Sequence, residues 1–337
     1  MPLRVIVDPS FRSMGEIFDD KTRARLHEVA EVVWGRDEPM PSERFAAEIA
    51  TVDAVVFGGW RHESVDALPA DRLLAVLEVA GGHEHPEVGY AECLARGIHI
   101  GSCAPAFGPV VAEMTLALTL AAVRGVTAAD RAMGDGTERW LHDGNATNTT
   151  LFGSTVGFVG YGNIARSLHA LLAPFGVRAI ANDPPIDDDR LRAAGVEPVD
   201  LDTLVEAADV IQVLAAPTPD NRHLLSAELL GRLRPDQTVV ITSRAHLVDF
   251  EALTALAADG RFKAGIDVFP DEPLAGDHPI RGLDNVTCTP HLAGALPAAL
   301  HEIGRLVVAD LDALAADERP NGMQYLTPAN ANGLTQR

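Results

Sequence analysis

The strongest constraint on the fold is a glycine-containing stretch, VGFVGYGNIARSL, that begins at Val156. A short apolar run leads into Gly160–Gly162, and a helical pattern follows. In such a strand–turn–helix the first glycine permits the tight turn, and the second lets the backbone approach a pyrophosphate. The third fingerprint position needs only a small residue, and Ala165 meets that need. The stretch therefore predicts a dinucleotide site, with phosphate at a helix start near Asn163.

The next apolar run supports this prediction. It reads VRAIAND and ends at Asp183, about twenty residues beyond the glycines, as the fingerprint requires. A carboxylate there accepts hydrogen bonds from ribose hydroxyls and repels a 2′-phosphate, and no arginine follows closely. We therefore expect NAD rather than NADP. The alternative is an ordinary βα turn that contains two glycines.

Short β-rich runs alternate with helical patterns along most of the 337 residues. The runs are LRVIVD, DAVVFGG, LLAVLEVAG and GIHIGS, then TVGFVG, VRAIAND, DVIQVLAA, TVVITS, AGIDVF and NVTCTP. Apolar strands separated by helices are typical of parallel sheets covered on both faces. The two series predict an α/β protein with two doubly wound parallel-sheet domains.

Two long helical patterns predict how the domains are connected. Val110–Gly125 has the pattern of a buried connecting helix, and a helix over roughly Pro297–Ala316 returns the chain to the first domain. The second domain is then inserted in the first, with a cleft between them. We assign residues 1–103 and 296–330 to the first domain, 104–295 to the second and 331–337 to a flexible tail. The Pro-, Asn- and Gly-rich sequence after Arg319 is expected to fray.

Composition limits the partners and the compartment. With 27 Lys and Arg against 48 Asp and Glu, the formal net charge is −21, so we expect neither nucleic acid nor a membrane surface as a partner. No apolar run is expected to span a membrane, and the N-terminus shows no secretion signal. Three widely spaced cysteines without a C-x-x-C pair predict a cytoplasmic protein with neither a disulfide framework nor a zinc knuckle.

Three further stretches place reactive side chains at the ends of strands. VVITSRAHLVDFEAL has Arg244 just after a strand, and NVTCTPHLAGAL has His291 after another. GIDVFPDEPL ends a strand at Asp267 and carries Glu272 before a proline. Ligands of open α/β sheets bind at the carboxyl ends of strands. Taken singly, each residue is more often structural, but the ordered set favours a site.

Four stretches of the chain resemble, in order, the motifs of the D-isomer-specific 2-hydroxyacid dehydrogenase family, which includes phosphoglycerate dehydrogenase. They are GYGNIA with Asp183, TSRAHLVDFEAL, DVFPDEP and TPHLAG. The resemblance covers nearly the whole chain. It implies a flavodoxin-like substrate domain, an inserted Rossmann NAD domain and a homodimer. It also implies that Asp267 holds the nicotinamide carboxamide. The implied cofactor-binding residues are Gly160, Gly162, Asn163, Ile164, Asp183, Ala215, Ala216, Thr242, Asp267, His291 and Gly294.

The chemistry of the three candidate catalytic residues agrees with the resemblance. Reducing a 2-keto acid needs a hydride on carbon and a proton on oxygen, and His291 would donate the proton as general acid. Glu272, hydrogen-bonded to His291, would favour the imidazolium. Arg244 would bind the substrate carboxylate and polarise the carbonyl. These residues predict an NAD-dependent enzyme that acts on the CH–OH group of a small anionic 2-hydroxy acid.

The sequence departs from the family in the turn that would receive the substrate. The family usually has G-x-G-x-D-N-[IV]-D, and this chain has VAGGHEHPEVGY. Gly81 and Gly82 remain, and their N–H groups could bind a carboxylate. His83 and His85 would add positive charge when protonated. Because the spacing is not H-E-x-x-H, no metal site is expected.

Two other departures concern the loops that follow strands. In GGWRHES, Arg61 could bind a second anionic group, such as a distal carboxylate, phosphate or phosphonate, and Trp60 could narrow the pocket. The alternative for Arg61 is an exposed loop arginine. In VLAAPTPDN, Leu214 stands where the family often has histidine, close to the implied cofactor contacts Ala215 and Ala216.

Two other functions remain open from the sequence. A phosphite-type dehydrogenase of the same family would use a similar Arg–Glu–His set. A non-catalytic regulator that senses NAD(H) could keep the set and act through partners.

Overall fold

The computed structural model describes residues 2–328, in which the chain forms thirteen strands and thirteen α-helices. The strands are β1 (Leu3–Asp8), β2 (Ala30–Gly35), β3 (Ala54–Phe57), β4 (Ala75–Glu78), β5 (His99–Ser102), β6 (Thr155–Val159), β7 (Arg178–Asn182), β8 (Glu197–Pro198), β9 (Val210–Val213), β10 (Thr238–Ile241), β11 (Lys263–Ile266), β12 (Val286–Cys288) and β13 (Gln324–Tyr325).

The helices cover both faces of the two sheets that these strands form. They are α1 (Met14–Ile17), α2 (Asp20–Val29), α3 (Ser42–Glu48), α4 (Tyr90–Ala95), α5 (Ala104–Arg124), α6 (Val126–Asp135), α7 (Leu141–Gly144), α8 (Asn163–Leu172), α9 (Asp188–Ala193), α10 (Leu201–Ala207), α11 (Ala227–Gly231), α12 (Phe250–Ala258) and α13 (Pro297–Ala315). Short 3₁₀ turns lie at Ile49–Thr51, Val65–Ala67, Pro86–Val88, Ala173–Phe175, Pro219–Asn221, Ala245–Leu247 and Pro279–Gly282.

The chain divides into two compact units, one inserted in the other. Unit 1 consists of the residues up to Phe107 and from Ala295 on, and unit 2 is Gly108–Gly294. The first division falls inside α5 rather than at the predicted boundary after residue 103, because Ala106 and Phe107 still pack into the core of unit 1. The predicted flexible tail, 331–337, lies outside the described residues.

Unit 1 contains a six-stranded sheet in the order β2-β1-β3-β4-β5-β13. The first five strands are parallel, and this is the flavodoxin-like order 2-1-3-4-5. Both faces are buried, since Val5 and Val7 contribute to one core cluster and Ile6 to another. The alternation follows from the two-residue period of a strand.

Two strands of unit 1 were not predicted from the sequence. Strand β2 starts at Ala30, directly after α2 ends at Val29, so no turn residue separates the two patterns. Strand β13 pairs antiparallel with β5. The prediction that the chain frays after Arg319 is therefore wrong for residues 322–326.

Asp310 of α13 explains why the segment around β13 is ordered. Its buried carboxylate accepts hydrogen bonds from the backbone N–H groups of Asn321, Gly322 and Met323, at 2.9, 2.7 and 2.9 Å. The hydroxyl of Tyr325 donates to the same carboxylate at 2.7 Å. Composition could not reveal this contact, because the acceptor lies on a helix earlier in the chain.

Unit 2 contains a seven-stranded, all-parallel sheet in the order β8-β7-β6-β9-β10-β11-β12. It is the Rossmann order 3-2-1-4-5-6 with a seventh strand added. Separate apolar clusters cover its two faces. The predicted fold class, two doubly wound parallel sheets with a Rossmann unit inserted in a flavodoxin-like one, is confirmed.

Helix α5 corrects one expectation from the sequence. Its 21 residues, with a mean hydropathy of 1.7 over the apolar window, are long and apolar enough to cross a membrane by length and composition alone. Core helices of soluble proteins pass the same test. Here Leu118 packs into a core cluster of unit 2, and Thr119 accepts a hydrogen bond from Gln212 of β9 at 2.9 Å. These are the contacts of a core helix.

Candidate active site

The residues that the sequence singled out in unit 2 follow the ends of its parallel strands. Because parallel strands end at one edge of a sheet, these positions share the carboxyl edge. Gly160 follows β6, Asp183 follows β7, Ala215 and Ala216 follow β9, Thr242 and Arg244 follow β10, Asp267 follows β11 and His291 follows β12.

The glycine turn has the geometry that a dinucleotide needs. Gly160 has a φ of +88°, and a Cβ on it would lie 2.3 Å from Cα of Ala215, so only glycine fits. Nothing lies within 4 Å of the Cβ position of Gly162, which directly precedes the ten-residue helix α8. Ala165 is fully buried, as close helix–strand packing requires. The open space at a helix N-terminus fits a pyrophosphate.

Asp183 belongs to the same turn. Its carboxylate accepts a hydrogen bond from the Tyr161 N–H at 2.6 Å. Burial raises the pKa of Asp183, although that hydrogen bond and the charge of Arg166 act in the opposite direction. The guanidinium of Arg166 donates to Asn163 Oδ1 at 2.5 Å. Arg166 lies on α8 and precedes Asp183 in the chain, so the lack of an arginine shortly after Asp183 did not reveal it.

The other predicted cofactor residues of unit 2 differ in exposure. Ile164 is half-buried against the core, and the carbonyl of Ala216 accepts a hydrogen bond from the Asn221 side chain at 2.7 Å. The Thr242 hydroxyl is buried and lies 2.7 Å from the Thr115 hydroxyl of α5, so its side chain serves packing within unit 2. Gly294 is the last residue of the unit.

His291 and Glu272 form a hydrogen-bonded pair. Nδ1 of the imidazole lies 2.6 Å from Oε2 of Glu272, and Oε1 accepts the Phe269 N–H at 2.9 Å. Burial alone would raise the pKa of Glu272, but the hydrogen bonds from His291 and Phe269 and the charge of Arg244 outweigh it, so the pKa is lowered. Glu272 is thus ionised at neutral pH and holds one ring nitrogen of His291.

The backbone of His291 is held in an unusual conformation. Its φ is +53°, in the left-handed region that non-glycine residues seldom adopt. The carboxylate of Asp267 accepts hydrogen bonds from the Thr289 hydroxyl at 2.5 Å and from the N–H groups of Leu292 and Ala293 at 2.9 and 3.1 Å. The carbonyl of Asp267 accepts the His291 N–H at 2.8 Å. Asp267 therefore fixes the loop on both sides of His291.

Arg244 completes the set in unit 2. It is exposed, its guanidinium donates to the carbonyl of Ser243 at 2.9 Å, and its positive charge acts on Glu272. A pocket of about 310 Å³ lies beside the pair, lined by Glu272 and His291. The structure thus pairs His291 with Glu272, and Arg244 is near enough for its charge to help lower the pKa of Glu272.

In unit 1, the Gly81–Gly82 turn follows β4 and rests on a buried carboxylate. Glu78 is fully buried and accepts the Glu84 N–H at 2.8 Å and the Tyr90 hydroxyl at 3.0 Å. The Tyr90 oxygen in turn accepts the His85 N–H at 2.8 Å. The substituted segment HEHP is therefore a folded turn built on Glu78, which pattern comparison alone did not show.

His83 does not supply the predicted positive charge. Its ring is buried, with Nε2 3.3 Å from the carbonyl of Ile100, and burial lowers the pKa of His83. A neutral core histidine cannot attract an anion through charge. His85 is half-buried, and its Nδ1 lies 2.8 Å from Oε1 of Glu87.

The two loop residues after β3 also differ from expectation. The Arg61 guanidinium bonds both oxygens of Asp8 at 3.2 and 3.1 Å and the Ser10 hydroxyl at 2.7 Å, so its charge is already neutralised. This pairing argues against the predicted grip on a second anionic group. Trp60 is only 6% exposed, and its Nε1 donates to the carbonyl of Glu63 at 3.1 Å. It is a core residue rather than a pocket wall.

Metal-ligating side chains do not converge within residues 2–328: no group of three or more His, Cys, Asp or Glu side chains is placed to hold an ion. Cys93 and Cys103 are buried and Cys288 is exposed, and all three are free thiols.

Comparison with known proteins gives the family. The family profile described as "D-isomer specific 2-hydroxyacid dehydrogenase, NAD binding domain" matches residues 116–293. This chain belongs to the D-isomer specific 2-hydroxyacid dehydrogenase family. The dehydrogenase is 30% identical to a glyoxylate reductase of Korarchaeum cryptofilum over 88% of this chain and 90% of the relative.

Two further relatives show the same family. A D-3-phosphoglycerate dehydrogenase of Mycobacterium tuberculosis is 32% identical over 84% of this chain, which spans only 52% of that protein. The crystal structure of a phosphoglycerate oxidoreductase from Rhizobium etli is 32% identical, with a TM-score of 0.86, over 97% of this chain and 99% of that one. The protein is accordingly a 2-hydroxyacid dehydrogenase with an NAD-binding domain, and its family acts on small anionic hydroxy acids.

Glu78 makes the stability of the dehydrogenase depend on pH. Burial raises the pKa of Glu78 to about 7, against the hydrogen bonds from Glu84 and Tyr90, whereas its ordinary value is 4.5. The folded state therefore binds the proton more tightly, and the contribution of Glu78 to stability is lost as pH rises from about 4.5 to about 7. We compare the free energy of unfolding of Glu78→Gln with that of the parent protein by urea unfolding. The difference in favour of Glu78→Gln should increase by up to about 3 kcal/mol from pH 5 to pH 8.

The matched control is Glu38→Gln, which changes an exposed glutamate of unit 1. It should show the same stability difference from the parent at both pH values. Equal differences at pH 5 and pH 8 for Glu78→Gln as well would contradict this role of Glu78 in the turn.

Proposed function

We propose that this dehydrogenase reduces a 2-keto acid to the 2-hydroxy acid with NADH, with His291 as general acid, Glu272 as its partner and Arg244 as the carboxylate-binding residue. The observation that carries the proposal is the 2.6 Å His291–Glu272 pair, placed on a loop that Asp267 holds in one conformation. Such a pair is what proton donation to a carbonyl oxygen requires.

The hydrogen bond to Glu272 decides which ring nitrogen of His291 reacts. Nδ1 is engaged by the carboxylate, so Nε2 is the nitrogen that carries the proton to the substrate oxygen. Bound NADH supplies the hydride that adds to the carbonyl carbon. Because Glu272 is ionised, it stabilises the positive charge of His291 before transfer and orients the ring during it.

Arg244 is the group that we propose binds the reacting carboxylate. Its extended backbone follows β10, and its guanidinium is exposed rather than packed into the core. A forked guanidinium can bind a carboxylate through two parallel hydrogen bonds and polarise an adjacent carbonyl.

For the cofactor, we propose that Asp183 accepts hydrogen bonds from the adenosine ribose and favours NAD over NADP. One carboxylate oxygen already accepts the Tyr161 N–H, which leaves the other oxygen for a hydroxyl. Asp267 remains a proposed contact for the nicotinamide carboxamide. We also propose a cytoplasmic location, which the three free thiols support.

Turnover tests the proposal directly. NADH oxidation is followed with glyoxylate, pyruvate, hydroxypyruvate, oxaloacetate and phosphonopyruvate, with NADPH in parallel. We expect at least one acid to be reduced with NADH, and we expect His291→Ala to lower kcat by about 10²–10⁴-fold because the proton donor is gone. Glu272→Gln, which keeps a hydrogen bond but removes the charge, should lower kcat less.

The control variant is His142→Ala, which removes an exposed histidine of unit 2 and should leave kcat unchanged. If the protein binds NADH and none of the acids is turned over, the proposed reaction fails: either the substrate lies outside this class of acids or the chain acts as a regulator that senses NAD(H).

We further propose that the protein is a homodimer built on helix α6. The Thr127 hydroxyl lies 3.0 Å from that of Thr287, and Arg131 donates to the carbonyl of Leu283 at 3.2 Å, so polar contacts attach the helix to unit 2. No residue of α6 is buried, and Val126 and Met133, seven residues apart on one face, are 55% and 56% exposed. A two-fold interface would bury such a face.

Light scattering after size exclusion tests the homodimer. Twice the chain mass of 35.8 kDa is expected for the parent protein, and the double variant Val126→Lys/Met133→Lys should give the single mass because charge cannot be buried there. Leu74→Lys, at an exposed leucine of unit 1, is the control and should remain dimeric. A parent protein that runs at the single mass would refute the proposal.

A further inference from the structure

Arg12 is a half-buried charge of unit 1 that no carboxylate within the described residues pairs with. Its Nε donates to the backbone carbonyl of Val79 at 3.3 Å, and within residues 2–328 no carboxylate oxygen lies within 4.0 Å of the guanidinium. Burial lowers the pKa of Arg12, and the more distant acids Glu16 and Glu84 only oppose this effect. A half-buried guanidinium that no described carboxylate pairs with keeps its charge available to an anionic ligand.

The guanidinium lies beside the turn that is expected to receive the substrate. Its central carbon is 4.8 Å from the ring centre of Phe11 and 5.8 Å from that of Phe107. The Phe107 ring in turn is 3.7 Å from where a Cβ on Gly81 would lie. Since Val79 directly follows β4, Arg12 stands at the carboxyl edge of the unit 1 sheet.

The turn itself offers hydrogen-bond donors. Among the hydrogen bonds formed within the described residues, the backbone N–H groups of Gly81 and Gly82 have no acceptor. Nothing lies within 4 Å of the Cβ position of Gly82, so there is room for a ligand. Backbone N–H groups beside the remaining N–H groups of a guanidinium match the oxygens of a carboxylate or a phosphate.

Arg61 is the obvious competitor for this role, and its contacts argue against it. Asp8 is buried and bonds Arg61 through both oxygens, and Ser10 takes another of its N–H groups. An anion at the remaining N–H groups of Arg61 would meet a guanidinium whose charge Asp8 already balances, with the negative charge of Asp8 close by. Arg12 needs no such exchange.

We infer that Arg12 and the N–H groups of Gly81 and Gly82 form one anion-binding site, and that Arg12 is the specificity-determining residue that fixes an anionic group of the substrate in unit 1. The inference rests on the proposed function, in which the substrate is an anionic 2-keto acid. It assigns to Arg12 the task that was predicted for Arg61.

Binding of inorganic phosphate tests the site without turnover. Isothermal titration of the full-length protein saturated with NADH compares the parent with Arg12→Gln, Arg12→Lys and Arg61→Gln. We expect Arg12→Gln to weaken phosphate binding about tenfold or more, and Arg12→Lys to weaken it less because the charge remains. Arg61→Gln should change it by less than about twofold. Unchanged phosphate binding in Arg12→Gln, or loss in Arg61→Gln alone, would overturn the inference.

Steady-state kinetics separates this inference from the proposed function. For a keto acid with a second anionic group, such as oxaloacetate, Arg12→Gln should raise KM about tenfold with kcat nearly unchanged, since the residue binds but does not react. The KM for pyruvate should change little, because its single carboxylate is the one proposed for Arg244, and an equal rise for both acids would overturn the assignment of a second anionic group to Arg12. If phosphate binding depends on Arg12 and no keto acid is turned over, the proposed function fails while the anion site stands.

Discussion

The buried carboxylate of Asp267 is the interaction on which the active site depends. It lies at the end of β11 and accepts three hydrogen bonds from the segment that begins at Thr289. That segment contains His291 in a left-handed backbone conformation, which persists only where the surroundings over-determine it. Only with the loop fixed can the imidazole meet Glu272 at 2.6 Å. The carboxylate of Asp267 thus has a structural role on which the pairing of Glu272 with His291 depends.

Unit 1 uses its charges differently. In a chain with a net charge of −21, attraction of an anionic substrate depends on a few local donors rather than on the overall field. Arg61 is ion-paired with Asp8, and His83 is neutral in the core. Arg12, in contrast, is half-buried beside the Gly81–Gly82 turn, and no carboxylate of the described residues pairs with it. The pairing of each cation, more than its position in the sequence, decides whether it is available to a ligand.

The sequence predicted what local pattern and chain order determine. Strand periodicity and the glycine turn were enough to predict two parallel sheets. Positions after strand ends were enough to predict that Glu272 and His291 lie close together, with Arg244 near enough to act on Glu272 through its charge. Structural features that depend on contacts between residues far apart in the sequence were not predicted. Asp310 anchors the segment around β13, and Arg12 gains its role from a loop some seventy residues away, so neither leaves a local signature.

The most direct test compares catalysis with cofactor binding in Asp267→Asn. If this carboxylate acts by fixing the His291 loop, kcat falls about 100-fold while the dissociation constant for NADH, measured by fluorescence titration, changes less than about threefold. An unchanged circular dichroism spectrum establishes that the variant is folded. If NADH affinity falls as much as kcat does, the carboxylate acts mainly by holding the nicotinamide, and its role in positioning His291 is contradicted.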